Sequence, residues 1–536
     1  MPSDFSDSPR PSLPSRRAVL RGAALTAGAT GLVLPSRVLG ARSPAFGAPG
    51  LVRSGRPALT HGVQSGDVRQ GAATLWARAD RPARLIAEIS RDPGFREVRP
   101  VRGPVVTPET DLTGEIHLSR LPDGADLHYR IRAVSLDDHH RAGEPVVGRL
   151  RTAPRMHDDV RFLWSADIAG QGWGVNPEYG GFRIADAMRA RNPDFFLCSG
   201  DNIYADGPVQ ATVPLPDGST WHNLVIPEKA KVAETLDEYR GQYKYNLMAD
   251  NWRAFLAETP QVAQWDDHEV TNNWYPGEIL TDARYTEQRV DVLAARARRA
   301  FHEYLPVAPI SPDPEGRVYR VIHYGPHLDV FVLDMRTHKD PNTGNREPAA
   351  DGGVLGSRQT KWLIGELRRS RATWKVIAAD LPIALVVPDG AAAQEGIAQG
   401  DGGTPLGREL DIAQVLTALS RLGIRNHVWL TGDVHYTAAH HYSPDRAAYQ
   451  DFDPFWEFVS GPVNAVVAAA PNPLDGTFGP RAEFVGVAPT AGTGPASGHQ
   501  YFGEVEISSR TRQLTVNLRG IDGAVLWTKT LDPERR

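Results

Sequence analysis

Between residues 57 and 154, short apolar runs alternate with polar positions at a period of two. They fall at 73–77, 84–90, 114–118 and 127–134, with Pro122-Asp123-Gly124 as a turn. This pattern predicts a small antiparallel sandwich of immunoglobulin or fibronectin type. After Pro154 the texture changes. Apolar strands alternate with amphipathic helices predicted at 182–191, 235–258, 287–304, 357–369 and 410–422. That order implies a sheet covered by helices on its faces, of α/β (α+β) class. Strand character returns at 503–508 and 514–519, which would complete a sheet edge, and no internal repeat is found. The segments 205–233 and 386–407 are polar and rich in Pro and Gly, and are expected as loops beside the strand ends, in position to act as substrate lids.

A length of 536 residues exceeds one ordinary core and predicts a large catalytic domain with a smaller companion. The chain is 41% hydrophobic and 23% charged with a net charge of -5, so no nucleic-acid-binding signature is present. One cysteine, Cys198, excludes an intrachain disulfide and a thiolate metal cluster. Ser15-Arg16-Arg17-Ala18-Val19-Leu20-Arg21 precedes a short apolar stretch rich in Gly, Ala and Thr, the pattern of a twin-arginine export signal. The expected partner is the twin-arginine export machinery, and the destination is periplasmic, cell-surface or extracellular. No membrane anchor is expected. Residues 1–48 are assigned to signal peptide and linker, 57–154 to the sandwich domain and 158–536 to the catalytic domain.

The apolar runs near 161, 195, 262, 330, 376 and 428 each close on an acid: Asp167, Asp201, Asp266-Asp267, Asp334, Asp380 and Asp433. Ligands gather outside the strand ends of such sheets, so these acids are expected to share one crevice. Converging carboxylates repel one another unless a cation neutralises them. A single such aspartate is usually a turn residue or helix cap; the series argues for more. Alternation along an extended chain would put Asp433 and His435 on one side, facing one site. Oxygen-rich ligands with few imidazoles suit Ca2+, Mg2+, Mn2+ or Fe3+ better than zinc. Such ions supply an activated hydroxide and neutralise phosphoryl oxygens, the two needs of phosphoester cleavage. His268, between Asp267 and Glu269, is placed to protonate a leaving oxygen or to hydrogen-bond the transferring phosphoryl group.

Gly200-Asp201-Asn202-Ile203-Tyr204, Trp265-Asp266-Asp267-His268-Glu269-Val270-Thr271-Asn272-Asn273-Trp274, Gly432-Asp433-Val434-His435 and the stretch from Phe455 to Pro462 resemble the signatures of PhoD-type alkaline phosphatases, members of the calcineurin-like metallophosphoesterases. The segment from Leu59 to Arg78 is similar to the β-rich domain that precedes that family's catalytic domain. The resemblance implies a metallophosphoesterase β-sandwich flanked by helices. It implies metal binding by Asp167, a metal-bridging role for Asp201, an iron-ligating place for Tyr204 and a metal ligand in Asp267. His268 takes the place of the catalytic histidine, while Asp433 and His435 fall on the last metal-binding motif and Asp380 on the remaining one. Asn202 and Asn273 within these motifs, and Arg336 two residues beyond a strand-ending acid, are the candidate substrate contacts. Two departures stand out: Asp167 replaces the family's usual cysteine, and Asn202 replaces the tyrosine of its Gly-Asp-Tyr. Two or more metal ions are implied, Ca2+ and Fe3+ foremost, with Mn2+ and Mg2+ as alternatives. The expected activity is hydrolysis of small phosphate mono- or diesters. A phospholipase D-like phosphodiesterase and a metal-stabilised surface-binding protein are the alternatives.

Overall fold

The strands that end on acids fall into two facing sheets. In a computed structural model of the protein, which describes residues 55–155, 158–309, 316–348 and 353–534, the first sheet has nine strands. Its order is Val525–Leu531, Leu514–Gly520, Tyr501–Ile507, Val160–Ser165, Phe195–Ser199, Gln261–Gln264, Leu59–Arg69, Ala72–Ala79 and Thr113–Ser119. The second has seven: Arg320–His323, Leu328–Val332, Trp374–Ala378, His427–Thr431, Phe455–Val459, Thr437–Tyr442 and Pro480–Gly486. Val160–Ser165, Phe195–Ser199 and Gln261–Gln264 run parallel in one sheet, and Leu328–Val332, Trp374–Ala378, His427–Thr431 and Phe455–Val459 run parallel in the other. The predicted signal segment and most of the linker lie outside the described residues.

Alternation along each strand sorts side chains into layers. Phe162, Trp164, Phe195, Leu197 and Val262 meet Val330, Val376, Ala378, Val428 and Leu430 between the sheets. Leu163, Phe196, Cys198 and Ala263 face outward onto the helices Ile184–Ala190, Leu236–Asn246, Asp250–Glu258 and Val290–Tyr304. Phe331, Ile377 and Trp429 are covered by Gly356–Arg369 and Glu409–Arg421. Strands buried on both faces read as continuous apolar runs, which is why they were visible in the sequence.

One predicted helix, 235–258, divides in two. Thr235 and Glu238 form a reciprocal capping box at its start. The chain then leaves helical geometry at Leu247–Ala249, where Asn246 Nδ2 donates to Asn202 O and Arg253 Nη1 donates to Leu247 O, both at 2.7–2.8 Å. Arg253, from the next helix, satisfies the Leu247 carbonyl at the helix end, while Asn246 turns its own amide outward to Asn202, and the apolar periodicity runs on through the break.

The N-terminal strands do not stand apart. A four-stranded sheet of Arg99–Val106, Ala83–Ser90, Asp126–Ser135 and Val146–Arg151 packs on Leu59–Arg69, Ala72–Ala79 and Thr113–Ser119, which themselves continue the nine-stranded sheet. The junction is the parallel pairing of Gly66 with Gln261. A Cβ at Gly66 would lie 2.7 Å from Gln261 O and 2.5 Å from Pro306 O, so only glycine fits there. Next to it, buried Asp67 accepts two bonds from Arg320, Nε to Oδ2 at 2.8 Å and Nη2 to Oδ1 at 2.7 Å, and one from Ala308 N at 2.8 Å. Losing one partner of such a buried pair costs about 3–5 kcal/mol.

Glu115 lies beside this pair, largely buried. Burial, reinforced by the Asp67 charge, pushes its carboxyl up to about 9. An acid whose folded pKa exceeds its unfolded value holds its proton in the folded state, so its contribution is complete below the unfolded value and is lost as pH rises toward 9. Glu115→Gln is therefore expected to leave the melting temperature unchanged at pH 4–5 and to raise it relative to wild type at pH 8–9. The slope removed is at most about 1.4 kcal/mol per pH unit. Thermal unfolding of both proteins across that range checks it; parallel curves would refute it.

Candidate metal centre

The acids converge where the two sheets share an end. Asp167 follows Val160–Ser165, Asp201 follows Phe195–Ser199, Asp266 and Asp267 follow Gln261–Gln264, Asp380 follows Trp374–Ala378 and Asp433 follows His427–Thr431. Each chain turns sharply at this point. Asp167, Ala169, Gln171, Asp201, Asn273, Asp433 and His435 all have positive φ, between 49° and 68°. Strained backbone of this kind persists only where surroundings enforce it and concentrates at functional sites. Gly200 makes the Asp201 turn possible, since a Cβ there would come 2.4 Å from Asp266 Cβ. Gly461 gives room on the other side: a Cβ would come 2.2 Å from Asp167 Oδ2.

The positive φ at Asp433 and His435 corrects the extended geometry expected for them. The pair sits in a turn, and its members join different groups. Three sets of side chains each present ligand atoms within 4.8 Å of one another: Asp167, Asp201 and His435; Asp201, Asp267 and His268; Asp266, Asp267 and Asp433. Asp201 links the first two sets and Asp267 the last two. Asp380 is in none of them. Its Oδ1 accepts from Gln264 Nε2 at 3.1 Å and its Oδ2 lies 3.3 Å from Arg336 Nε. Asp334 points elsewhere: it caps its own turn by accepting from Arg336 N, Thr337 N and Thr337 Oγ1, and takes the Trp265 indole N–H at 2.9 Å.

The centre has room for positive charge. Both carboxylate oxygens of fully buried Asp167 lack a hydrogen-bond partner among the described residues. Burial, with the charges of Asp266 and Asp267, raises the Asp167 carboxyl well above its usual range; burial and the charges of Asp267, Asp266 and Asp167 do the same to Asp201. Unpaired buried carboxylates are costly, and a multivalent cation removes the cost, so these residues fit metal ions. The His435 ring is set for ligation. Its Nδ1 donates to Val466 O at 2.6 Å, which leaves Nε2 with a lone pair facing Tyr204 Oη at 2.7 Å and Asp167 Oδ1 at 3.5 Å. Burial lowers this histidine to about 4, keeping it neutral.

His268 is held differently. Its Nδ1 lies 2.7 Å from Asp206 Oδ1, its ring stacks on Tyr204 with centroids 4.2 Å apart, and its backbone N–H donates to Asp267 Oδ1 at 2.8 Å. Burial alone would depress it, but Asp206 and Asp267 outweigh burial and hold it up at about 10. Its side chain keeps 12% exposure, whereas Asp167 has none. Asp206 in turn accepts from Asn272 N at 2.9 Å.

Of the three expected substrate contacts, one is partly exposed. Asn273 is half-buried, donates its backbone N–H to Asp267 Oδ2 at 2.6 Å and reaches Asp389 of the 386–407 loop at 3.1 Å. Asn202 is buried and spends its amide on Gln264 O and Glu269 Oε1. Arg336, expected as a phosphoryl contact, is fully buried among acids. Three contributors escaped the sequence reading. Glu269 accepts the backbone N–H groups of Asp201, Asn202 and Asp266, locking two acidic turns together. Asp206 and Glu395 sit in polar loops and carry no motif of their own.

The family described as PhoD-like phosphatase matches residues 162–518, and its N-terminal domain matches residues 46–154. Alkaline phosphatase D of Bacillus subtilis (strain 168) is 27% identical over 402 residues, covering 70% of this chain and 64% of that protein. The chain thus spans less than two thirds of that relative's length. A solved structure titled "Structure of PhoD" aligns over 91% of this chain and 92% of its own, with a TM-score of 0.67 and 20% identity. A purple acid phosphatase from yellow lupin (Lupinus luteus) seeds aligns over 90% of this chain and 75% of its own, with a TM-score of 0.54 and 12% identity. Both likenesses concern the fold. No helix among the described residues is long and apolar enough to cross a membrane.

Proposed function

The chain belongs to the PhoD-like phosphatase family, and from this premise we propose that it is an exported, metal-dependent hydrolase of small phosphate esters. The observation that supports this most is the linkage of three ligand sets through Asp201 and Asp267 beside His268. Asp167, Asp201, Tyr204 and His435 would hold one ion, and Asp201 and Asp267 a second, so that Asp201 bridges. Bound there, the ions would supply an activated hydroxide and neutralise charge on the phosphoryl oxygens. Tyr204 Oη beside His435 Nε2 favours Fe3+ at the first position, and the all-carboxylate remainder favours Ca2+, with Mn2+ and Mg2+ as substitutes. His268, held by Asp206 on Nδ1, would offer its Nε2–H to the departing oxygen. Asn273, bound to Asp267 and to Asp389 of the 386–407 loop, would contact the entering ester. The twin-arginine pattern at residues 15–21 supports export in the folded state, with metal already bound.

Exhaustive chelation with EDTA is expected to lower hydrolysis of p-nitrophenyl phosphate and its bis ester by at least about a hundredfold. Adding back Ca2+ or Mn2+ should restore it, with elemental analysis following the metal. Undiminished turnover by protein shown to be metal-free would overturn the reading. The ratio of monoester to diester rates distinguishes a phosphatase from a phosphodiesterase.

A further inference from the structure

Arg336 sits at the bottom of the acidic crevice with no exposed surface. Its Nε donates to Asp266 Oδ1 at 2.6 Å, and Nη2 also pairs with Asp266. Nη2 lies 3.5 Å from Asp433 Oδ1 and 3.9 Å from Asp267 Oδ1, while Nε is 3.3 Å from Asp380 Oδ2. The other terminal nitrogen, Nη1, pairs with buried Glu395, which also accepts from Lys339 Nζ at 3.1 Å. Asp266, Asp267 and Asp433 are the members of the third ligand set, and one nitrogen of one guanidinium faces all three.

We propose that Arg336 is a resident cation of the centre: it fills the third acidic pocket, so that the chain takes up two metal ions rather than three. Asp266 and Asp380 then serve the arginine and do not ligate metal. This inference rests on the reading that the centre binds metal at all.

Three arguments carry it. A guanidinium keeps its charge at every accessible pH and presents several donors in a fixed fork, which suits it to permanent duty among carboxylates. The fork is held at both ends, by Asp266 on one side and Glu395 on the other, and Asp334 fixes the turn from which it springs by accepting from Arg336 N at 3.2 Å. The pocket's charge is also already met in part. Asp266, Asp267 and Asp433 each lie within 3.9 Å of a guanidinium that cannot lose its proton, so a divalent ion in that pocket would face a fixed positive charge.

The test is metal stoichiometry. Full-length protein is stripped with chelator, titrated with Ca2+ or Mn2+ in a calorimeter, and counted by elemental analysis after gel filtration. Wild type is expected to hold two ions per chain and Arg336→Met three, the vacated pocket now taking a divalent ion. Asp266→Asn is expected to melt at a lower temperature yet still hold two. Three ions in the wild type, two in a folded Arg336→Met at saturating Ca2+, or one in a folded Asp266→Asn would each overturn the proposal. Should Arg336→Met not fold, the wild-type and Asp266→Asn counts still decide it. Failure of the underlying reading is distinct: the wild type would bind no ion and hydrolyse esters regardless.

Discussion

Asp201→Asn is expected to lower hydrolysis of p-nitrophenyl phosphate by at least a thousandfold, or about 4 kcal/mol of transition-state stabilisation, and to reduce the bound metal. Asp201 is the side chain common to the two ligand sets that contain histidine, so its charge would count toward both proposed ions. The amide keeps the shape and can still accept the His268 N–H that Asp201 Oδ1 receives at 3.2 Å, so the loss would report on charge and ligation, not on collapse of the turn. The same substitution is expected to act oppositely on stability. In metal-free protein, Asp201 is a buried carboxylate repelled by Asp267, Asp266 and Asp167. Removing that charge should raise the melting temperature of the apoprotein while abolishing the further rise that Ca2+ gives the wild type. Melting curves with and without Ca2+, beside the rate, check both halves. An apoprotein that melts lower than wild type, or a variant that retains full metal and full rate, would show that Asp201 does not bridge.

The fold was legible where burial on two faces leaves a continuous apolar run. The strands that become Val160–Ser165, Phe195–Ser199, Trp374–Ala378 and His427–Thr431 announced themselves in this way, and the acids that close them placed the centre. What periodicity does not encode is the pairing between distant segments. The merging of the N-terminal strands into the large sheet depends on one glycine, Gly66, that lets a strand approach Gln261 and Pro306. The break at Leu247–Ala249 goes with two bonds, from the Asn246 side chain to the Asn202 carbonyl and from the Arg253 side chain to the Leu247 carbonyl.

The centre shows the same division. Asp167, Asp201, Asp267, Asp433 and His435 could be named because strand ends and short motifs are local signals, and the ligand sets contain all five. The role of Arg336 could not be read, because an arginine two residues past a strand looks like any exposed arginine until Asp266, 70 positions earlier, and Glu395, 59 positions later, are folded around it. Asp334 belongs to the same strand-end series as the others and differs only in that Thr337 and Trp265 satisfy it, a fact of tertiary packing.

Asp206 is the residue through which His268 is expected to be tested most sharply. It contacts His268 Nδ1 at 2.7 Å and accepts Asn272 N through its other oxygen, so the carboxylate both orients the ring and favours its charged form. An amide at this position can accept the same N–H but carries no charge, and turned about it donates and opposes that tautomer. If His268 protonates the leaving group, Asp206→Asn should lower kcat by roughly 10²–10⁴-fold, the range that a positioned acid supplies, with KM and metal content little changed. A substrate with a far better leaving group needs no proton and should lose much less, so the defect on an alkyl phosphate should exceed that on p-nitrophenyl phosphate. Asp206→Glu, which retains the charge at a longer reach, is expected to recover part of the alkyl ester rate. A merely structural role for Asp206 would lower both substrates equally and follow the melting temperature. Equal losses on the two esters would therefore remove the acid role from His268, while leaving the ligand sets of Asp167, Asp201, Asp267 and His435 untouched.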